Sequence, residues 1–117
     1  MKINEIAKQM VLKGKGILAA DESTGTMTKR LANVKVESNE KNRLTFRHTL
    51  FTSKNISKYI SGVILFDETI RQNKDGKTIS EILNNQNILP GIKVDKGAKK
   101  IVGSDETVTE GLDGLRE

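Results

Sequence analysis

Three short segments of this chain share one form, and that form restricts the fold more than any other feature of its 117 residues. Each begins with glycine, runs through a few largely apolar residues and ends in aspartate: Gly16 to Asp21, Gly62 to Asp67 and Gly91 to Asp95. Near-continuous apolar runs of this length suit strands buried on both faces, the habit of parallel sheets. Helix-length stretches separate the runs, which predicts parallel strands joined by right-handed crossovers and an α/β fold class. Ligands of such folds gather at the carboxyl ends of the strands, where all three aspartates fall.

The intervening residues carry helix signals. Ile3, Ile6, Ala7, Met10 and Val11 recur at helical spacing, with Gly14 as a stop. Met27, Leu31 and Val34 do the same within Thr24 to Val34. A further helix is expected to start at Ser38 as its N-cap, with Glu40 in the first turn and an apolar stripe of Leu44, Leu50 and Phe51 beside Phe46. Asn73-Lys74-Asp75-Gly76 is turn chemistry, and Thr78 to Glu81 has the spacing of a capping box ahead of Ile82 and Leu83. Polar residues 84–87 form a loop before Pro90-Gly91, and the stretch from Thr107 to Glu117 carries Leu112 and Leu115. Three strands with about one helix layer would leave open sheet edges, so residues 1–117 are expected to form part of a domain, not a complete one.

Composition narrows the function classes. Twenty Lys+Arg against fifteen Asp+Glu give a net charge of +5. The lysines are dispersed apart from Lys93, Lys96, Lys99 and Lys100, and they are not interleaved with the few aromatic residues that a nucleic-acid binder would use for stacking. A lysine-rich solvated surface accounts for the charge, and no nucleic-acid partner is expected. The absence of cysteine removes disulfides, thiolate metal sites and cysteine nucleophiles. The longest aliphatic or aromatic runs, Ile17 to Ala20 and Val63 to Phe66, hold four residues each, against the roughly 20 a membrane span needs. Met1 to Glu5 places an acid where a secretory signal would be apolar, so a cytoplasmic location is expected.

A few positions could carry chemistry. Asp21 would share the side of Ile17 and Ala19 at the end of the first strand. There a carboxylate could bind a substrate hydroxyl or assist proton transfer, or simply cap a helix. Ser23, Thr24, Gly25, Thr26 and Thr28 make a hydroxyl-rich turn ahead of a helix, with Lys29 and Arg30 behind. That pattern fits either a phosphate seat or an ordinary N-cap cluster. Lys93 interrupts an otherwise apolar strand between Ile92 and Val94 and shares its side with Asp95. An ammonium among buried strands must be paired or face a polar ligand, unless it sits at an edge and reaches solvent. Arg43 reads as surface charge on a helix, and His48, the sole histidine, cannot build a metal site alone. Gly14-Lys15-Gly16 with Ala19 precedes a strand instead of following it, which is the wrong order for a dinucleotide fingerprint.

The string from Gly14 to Gly25, GKGILAADESTG, resembles the opening strand of class I fructose-bisphosphate aldolases. Three further pieces follow in that family's order: Gly62 to Phe66 with Glu68-Thr69, then Gly91 to Gly97, then Glu110 to Leu115. The resemblance implies the first three or so strands, plus an N-terminal helix, of a TIM (β/α)8 barrel, in a homotetramer that cleaves fructose 1,6-bisphosphate to dihydroxyacetone phosphate and glyceraldehyde 3-phosphate. It implies no cofactor and no metal, because a lysine amine forms a Schiff base that acts as the electron sink. By motif, Asp21 matches the active-site aspartate of the first strand and Lys93 an active-site lysine. Ser23 and Thr26 match hydroxyls that contact phosphate, Arg30 a phosphate-binding arginine, and Arg43 a weaker assignment of substrate contact. Asp67 stands where many relatives have histidine. No lysine of this chain matches the Schiff-base position, so the 117 residues are expected to be inactive alone. A non-catalytic phosphate-binding or partner-binding module is the alternative.

Overall fold

In the computed structural model, which describes residues 1–115, a three-stranded parallel sheet is the centre of an α/β layer. Helix α1 (Ile3–Met10) leads into β1 (Gly16–Ala20), followed by α2 (Thr24–Asn33), α3 (Glu40–Phe51) and the single turn α4 (Ile56–Tyr59). Strand β2 (Ile60–Leu65) comes next, then a second single turn, α5 (Asp67–Ile70). A two-rung hairpin of β3 (Asn73–Lys74) and β4 (Lys77–Thr78) surrounds the Asp75-Gly76 turn and leads into α6 (Ile79–Asn84). Strand β5 (Leu89–Ile92) completes the sheet, in the order β1-β2-β5 with both pairings parallel. The chain then leaves the sheet for an antiparallel hairpin of β6 (Asp95–Lys100) and β7 (Thr107–Gly111). Residues 116 and 117 of the expected last stretch lie outside the described residues.

The two faces of the sheet differ. Leu18 and Ala20 of β1 lie level with Val63 and Leu65 of β2, and on that side they meet Phe51 of α3, Ile56 of α4, Ile79 and Leu83 of α6, and Ile88. Burying each of these larger side chains contributes about 1.5–3 kcal/mol, which makes this face the source of the layer's cohesion. Residues of opposite parity turn the other way. Ile17 and Ala19 are exposed there and Ile64 is only half-buried. Gly62 and Gly91 lie in the same rows, and a Cβ at Gly91 would sit 3.3 Å from the Val63 carbonyl oxygen. Among the described residues no helix is long and apolar enough to cross a membrane.

Three sequence expectations need correction. Helix α3 is capped by Asn39, not Ser38: the Asn39 side chain accepts the Asn42 backbone N–H at 2.8 Å. The buried stripe of α3 is Arg43, Arg47 and Phe51, at i, i+4 and i+8, whereas Phe46 is exposed and Leu44 and Leu50 are half-buried. Two of the three inward positions are cationic, so a search for apolar periodicity passes over them. The third strand ends at Ile92, and Asp95 opens β6, so Lys93 stands just beyond the strand instead of interrupting it. Its N–H still bonds the Leu65 carbonyl at 2.9 Å, extending the ladder by one rung. The capping box at Thr78 and Glu81 is present as expected.

Candidate active site

The carboxyl ends of β1, β2 and β5 place charged side chains side by side. Asp21 follows β1 directly, and Lys93 follows β5 on the exposed face. The Lys93 ammonium lies 3.4 Å from one Asp21 carboxylate oxygen and 3.3 Å from one of Asp95. The other Asp95 oxygen accepts the Gly97 backbone N–H at 3.0 Å, which fixes that carboxylate at the root of the hairpin. Burial alone would lower the Lys93 pKa, but its hydrogen bonds to Asp95 and Asp21 outweigh burial and hold the pKa above the ordinary lysine value. The same contact, with the Gly97 N–H, draws the Asp95 carboxyl below its ordinary value. Lys93 is therefore a standing cation. A nucleophilic amine must be neutral, so this lysine suits charge stabilisation and proton placement, not covalent attack.

The turn from β1 into α2 supplies the second group. Ser23 caps α2, accepting the Thr26 N–H, and the two hydroxyl oxygens lie 3.2 Å apart at the solvent surface. The first turn of a helix has N–H groups without intrahelical partners, which favours an anion at this end. Arg30 lies further along α2 and ion-pairs with Glu22. Glu22 also faces Arg47 of α3, which is fully buried: one Arg47 terminal nitrogen donates to the Glu22 carbonyl at 2.6 Å and lies 3.5 Å from its carboxylate. The Arg47 guanidinium sits over the Phe66 ring, 5.9 Å from its centroid, so it links the ends of β1 and β2. Burial lowers its pKa, opposed chiefly by Glu22.

Arg43 lies elsewhere. Its guanidinium makes a two-pronged bond to Glu68, at 2.7 and 2.8 Å, and donates to the Ser38 hydroxyl at 3.1 Å. Fork-on-carboxylate geometry of this kind is strong and orienting. It holds Glu68 below the ordinary carboxyl pKa, and it ties α3 to α5. The structure thus brings Asp21 and Lys93 together, sets Ser23 and Thr26 on the adjoining turn with Arg30 further along α2, and gives Arg43 to a buried pair. Sequence reasoning missed Arg47 altogether and passed over Glu22 and Glu68 as motif letters. The one available signal was the spacing of Arg43, Arg47 and Phe51. Beside Lys93 a cleft of about 640 Å³ opens between α5 and the hairpin, lined by Phe66, Ile70, Lys93, Asp95 and Leu115 among others.

Comparison with known proteins agrees over the whole chain. A family model described as fructose-bisphosphate aldolase class-I matches residues 2–117. The "Probable fructose-bisphosphate aldolase class 1" of Xanthomonas axonopodis pv. citri is 55% identical over 98% of this chain and 35% of its own length. Fructose-bisphosphate aldolase cytoplasmic isozyme 1 of Pisum sativum is 56% identical over 93% of this chain and 31% of its own. Among solved structures, the fructose-bisphosphate aldolase of Plasmodium falciparum, in complex with TRAP and a small-molecule inhibitor, superposes with a TM-score of 0.89 at 50% identity. That match covers 95% of this chain and 33% of the other. The chain spans about a third of the length of the relatives it matches.

Proposed function

This chain belongs to the class-I fructose-bisphosphate aldolase family, and from that premise we propose that the protein bearing these residues cleaves fructose 1,6-bisphosphate by Schiff-base chemistry. In this reading the three parallel strands are the start of a (β/α)8 barrel, and their exposed face, with Ile17, Ala19 and Ile64, is its interior. The protein is a cytoplasmic homotetramer that takes a sugar bisphosphate. The observation that carries the reading is the Asp21–Lys93–Asp95 cluster at the strand ends, inside a family match that covers residues 2–117.

Each group then has a task. Asp21 orients the substrate hydroxyls and takes part in proton transfer. Lys93, kept protonated by its two carboxylates, stabilises negative charge on the substrate. Ser23, Thr26 and Arg30 receive one phosphate. Arg43 contributes through Glu68 and the α3–α5 joint, not by touching substrate. No lysine of these 117 residues matches the family's Schiff-base position, so the covalent amine comes from outside them.

Cleavage is measured by coupling triose phosphate release to a nicotinamide-linked enzyme. Asp21→Asn is expected to lower kcat by about 10²–10⁴-fold, the range for losing a positioned acid–base group. Lys93→Met should cost about 10²–10³-fold, as for one electrostatic donor. Unchanged kcat in both would sink the site. Residues 1–117 alone, treated with substrate and borohydride, should give no covalent adduct; a stoichiometric adduct would place the nucleophile among them.

A further inference from the structure

Glu22 is one carboxylate shared by two arginines of opposite character. Its side chain is 13% exposed, that of Arg30 is 57% exposed, and that of Arg47 is fully buried. We propose that Glu22 is an internal rival for the phosphate-binding arginine: it holds Arg30 while the site is empty and yields it to an arriving phosphate. Arg47 keeps Glu22 paired after Arg30 has left. The proposal rests on the reading that Arg30 serves a phosphate, and it adds how that arginine is held and released.

Charge and burial around Glu22 favour this exchange. A carboxylate left alone in a nearly closed position is costly, so a lone Glu22–Arg30 pair would resist opening. Here Arg47 already faces the Glu22 carboxylate at 3.5 Å and grips the Glu22 carbonyl at 2.6 Å. When Arg30 departs, a one-to-one pair remains and no buried charge is stranded. The departing Arg30 is mostly solvated already, so it returns to water at little cost while Arg47 stays beside the carboxylate. A phosphate dianion offers the guanidinium a stronger partner than one carboxylate oxygen. The landing place is close by, since Ser23 directly follows Glu22 and pairs its hydroxyl with that of Thr26. Arg47 is in this sense a positioning residue that acts through Glu22. Its anchorage over Phe66 fixes the carboxylate on one side while the other side opens.

The test is a titration with inorganic phosphate at constant ionic strength, with chloride as the control. It is read by NMR on the Arg30 Nε–H signal and the Glu22 side-chain carboxylate carbon of the protein bearing these residues. In the unmodified protein both signals should move saturably with one shared midpoint. Glu22→Gln should tighten the phosphate Kd by about two- to fivefold, the worth of one weak, half-exposed ion pair. Adding Arg30→Gln to that variant should abolish the gain. An Arg30 signal that moves while the Glu22 carbon stays still overturns the proposal. So does a Glu22→Gln protein that binds phosphate no more tightly. No saturable movement at Arg30 in any protein overturns the phosphate seat itself, and the proposal with it. The measurement on the unmodified protein decides the matter even if Glu22→Gln fails to fold.

Discussion

The layer between Gly16 and Ile92 and the hairpin between Asp95 and Gly111 are held by different forces. The layer buries Phe51, Val63, Leu65, Ile79, Leu83 and Ile88 almost completely. The hairpin buries nothing: Val108 is half exposed, Val102 lies wholly in solvent, and the lysines Lys96, Lys99 and Lys100 all face water. Its order comes from backbone pairing and from its root, where the Leu112 N–H bonds the Val94 carbonyl and Asp95 is tied to Lys93 and Gly97. The layer is a foundation, and the hairpin is an appendage whose fixed end delivers a carboxylate to the site. Local stability differs across proteins in this way, and elements poor in buried contacts open first.

The contrast is broken most severely from the core. Phe51→Ala should cost about 3–5 kcal/mol in urea unfolding, whereas Val108→Ala should stay within about 0.5 kcal/mol; equal losses would show the hairpin to be part of the core. Arg43→Met comes second, at about 1.5–3 kcal/mol for two charge-assisted bonds. It also sharpens the comparison through pH. The folded-state pKa of Glu68 lies below its ordinary value, so its contribution is complete above about 4.3 and is lost as pH falls through the depressed folded value. Unfolding free energy measured down that range should therefore fall less steeply in Arg43→Met than in the parent.

Gly111→Ala acts more locally. A Cβ there would lie 2.4 Å from the Val94 carbonyl oxygen and 2.7 Å from the Asp95 Cα, so the hairpin root must shift. Amide exchange should quicken in β6 and β7 and stay unchanged in β2; quickening throughout would deny the two regions their independence. The smallest effect belongs to Lys96→Ala. That lysine pairs with Asp113 at 2.9 Å in open solvent, and its loss should leave the unfolding midpoint where it was.

Much of the foundation was legible. Apolar runs bounded by glycine and aspartate marked all three parallel strands, and capping signals marked α6. Of the site, Asp21 is readable from its place at a strand end and Lys93 from its charge amid apolar neighbours; the structure sets both just past strand ends, 3.4 Å apart. What escaped was whatever depends on pairing across the fold. Arg47 resembles any surface arginine until Glu22 and Phe66 close on it, because local spacing cannot tell a solvated cation from one desolvated by distant partners. The end of β5 was misplaced for a related reason. Lys93-Val94-Asp95 alternates like a strand, yet beyond the Lys93 rung the chain turns to pair with β7 instead of continuing along β2.

The opening rungs of the sheet hold one irregular step. Gly16 pairs with Ile60 and Ile17 with Gly62, so Ser61 falls between rungs, its hydroxyl 2.6 Å from the Met10 carbonyl oxygen and 3.3 Å from that of Gly16. That skipped residue works like a phase shifter. Every later rung inherits its offset, and so does the level at which the far tips emerge. Trimming one residue there would slide neighbouring tips by about 3.3 Å, as wide as the gap that now separates an ammonium from its carboxylates. The alignment of the charged rim thus depends on the opposite end of the sheet, where Ser61 is tied to the Met10 and Gly16 carbonyls.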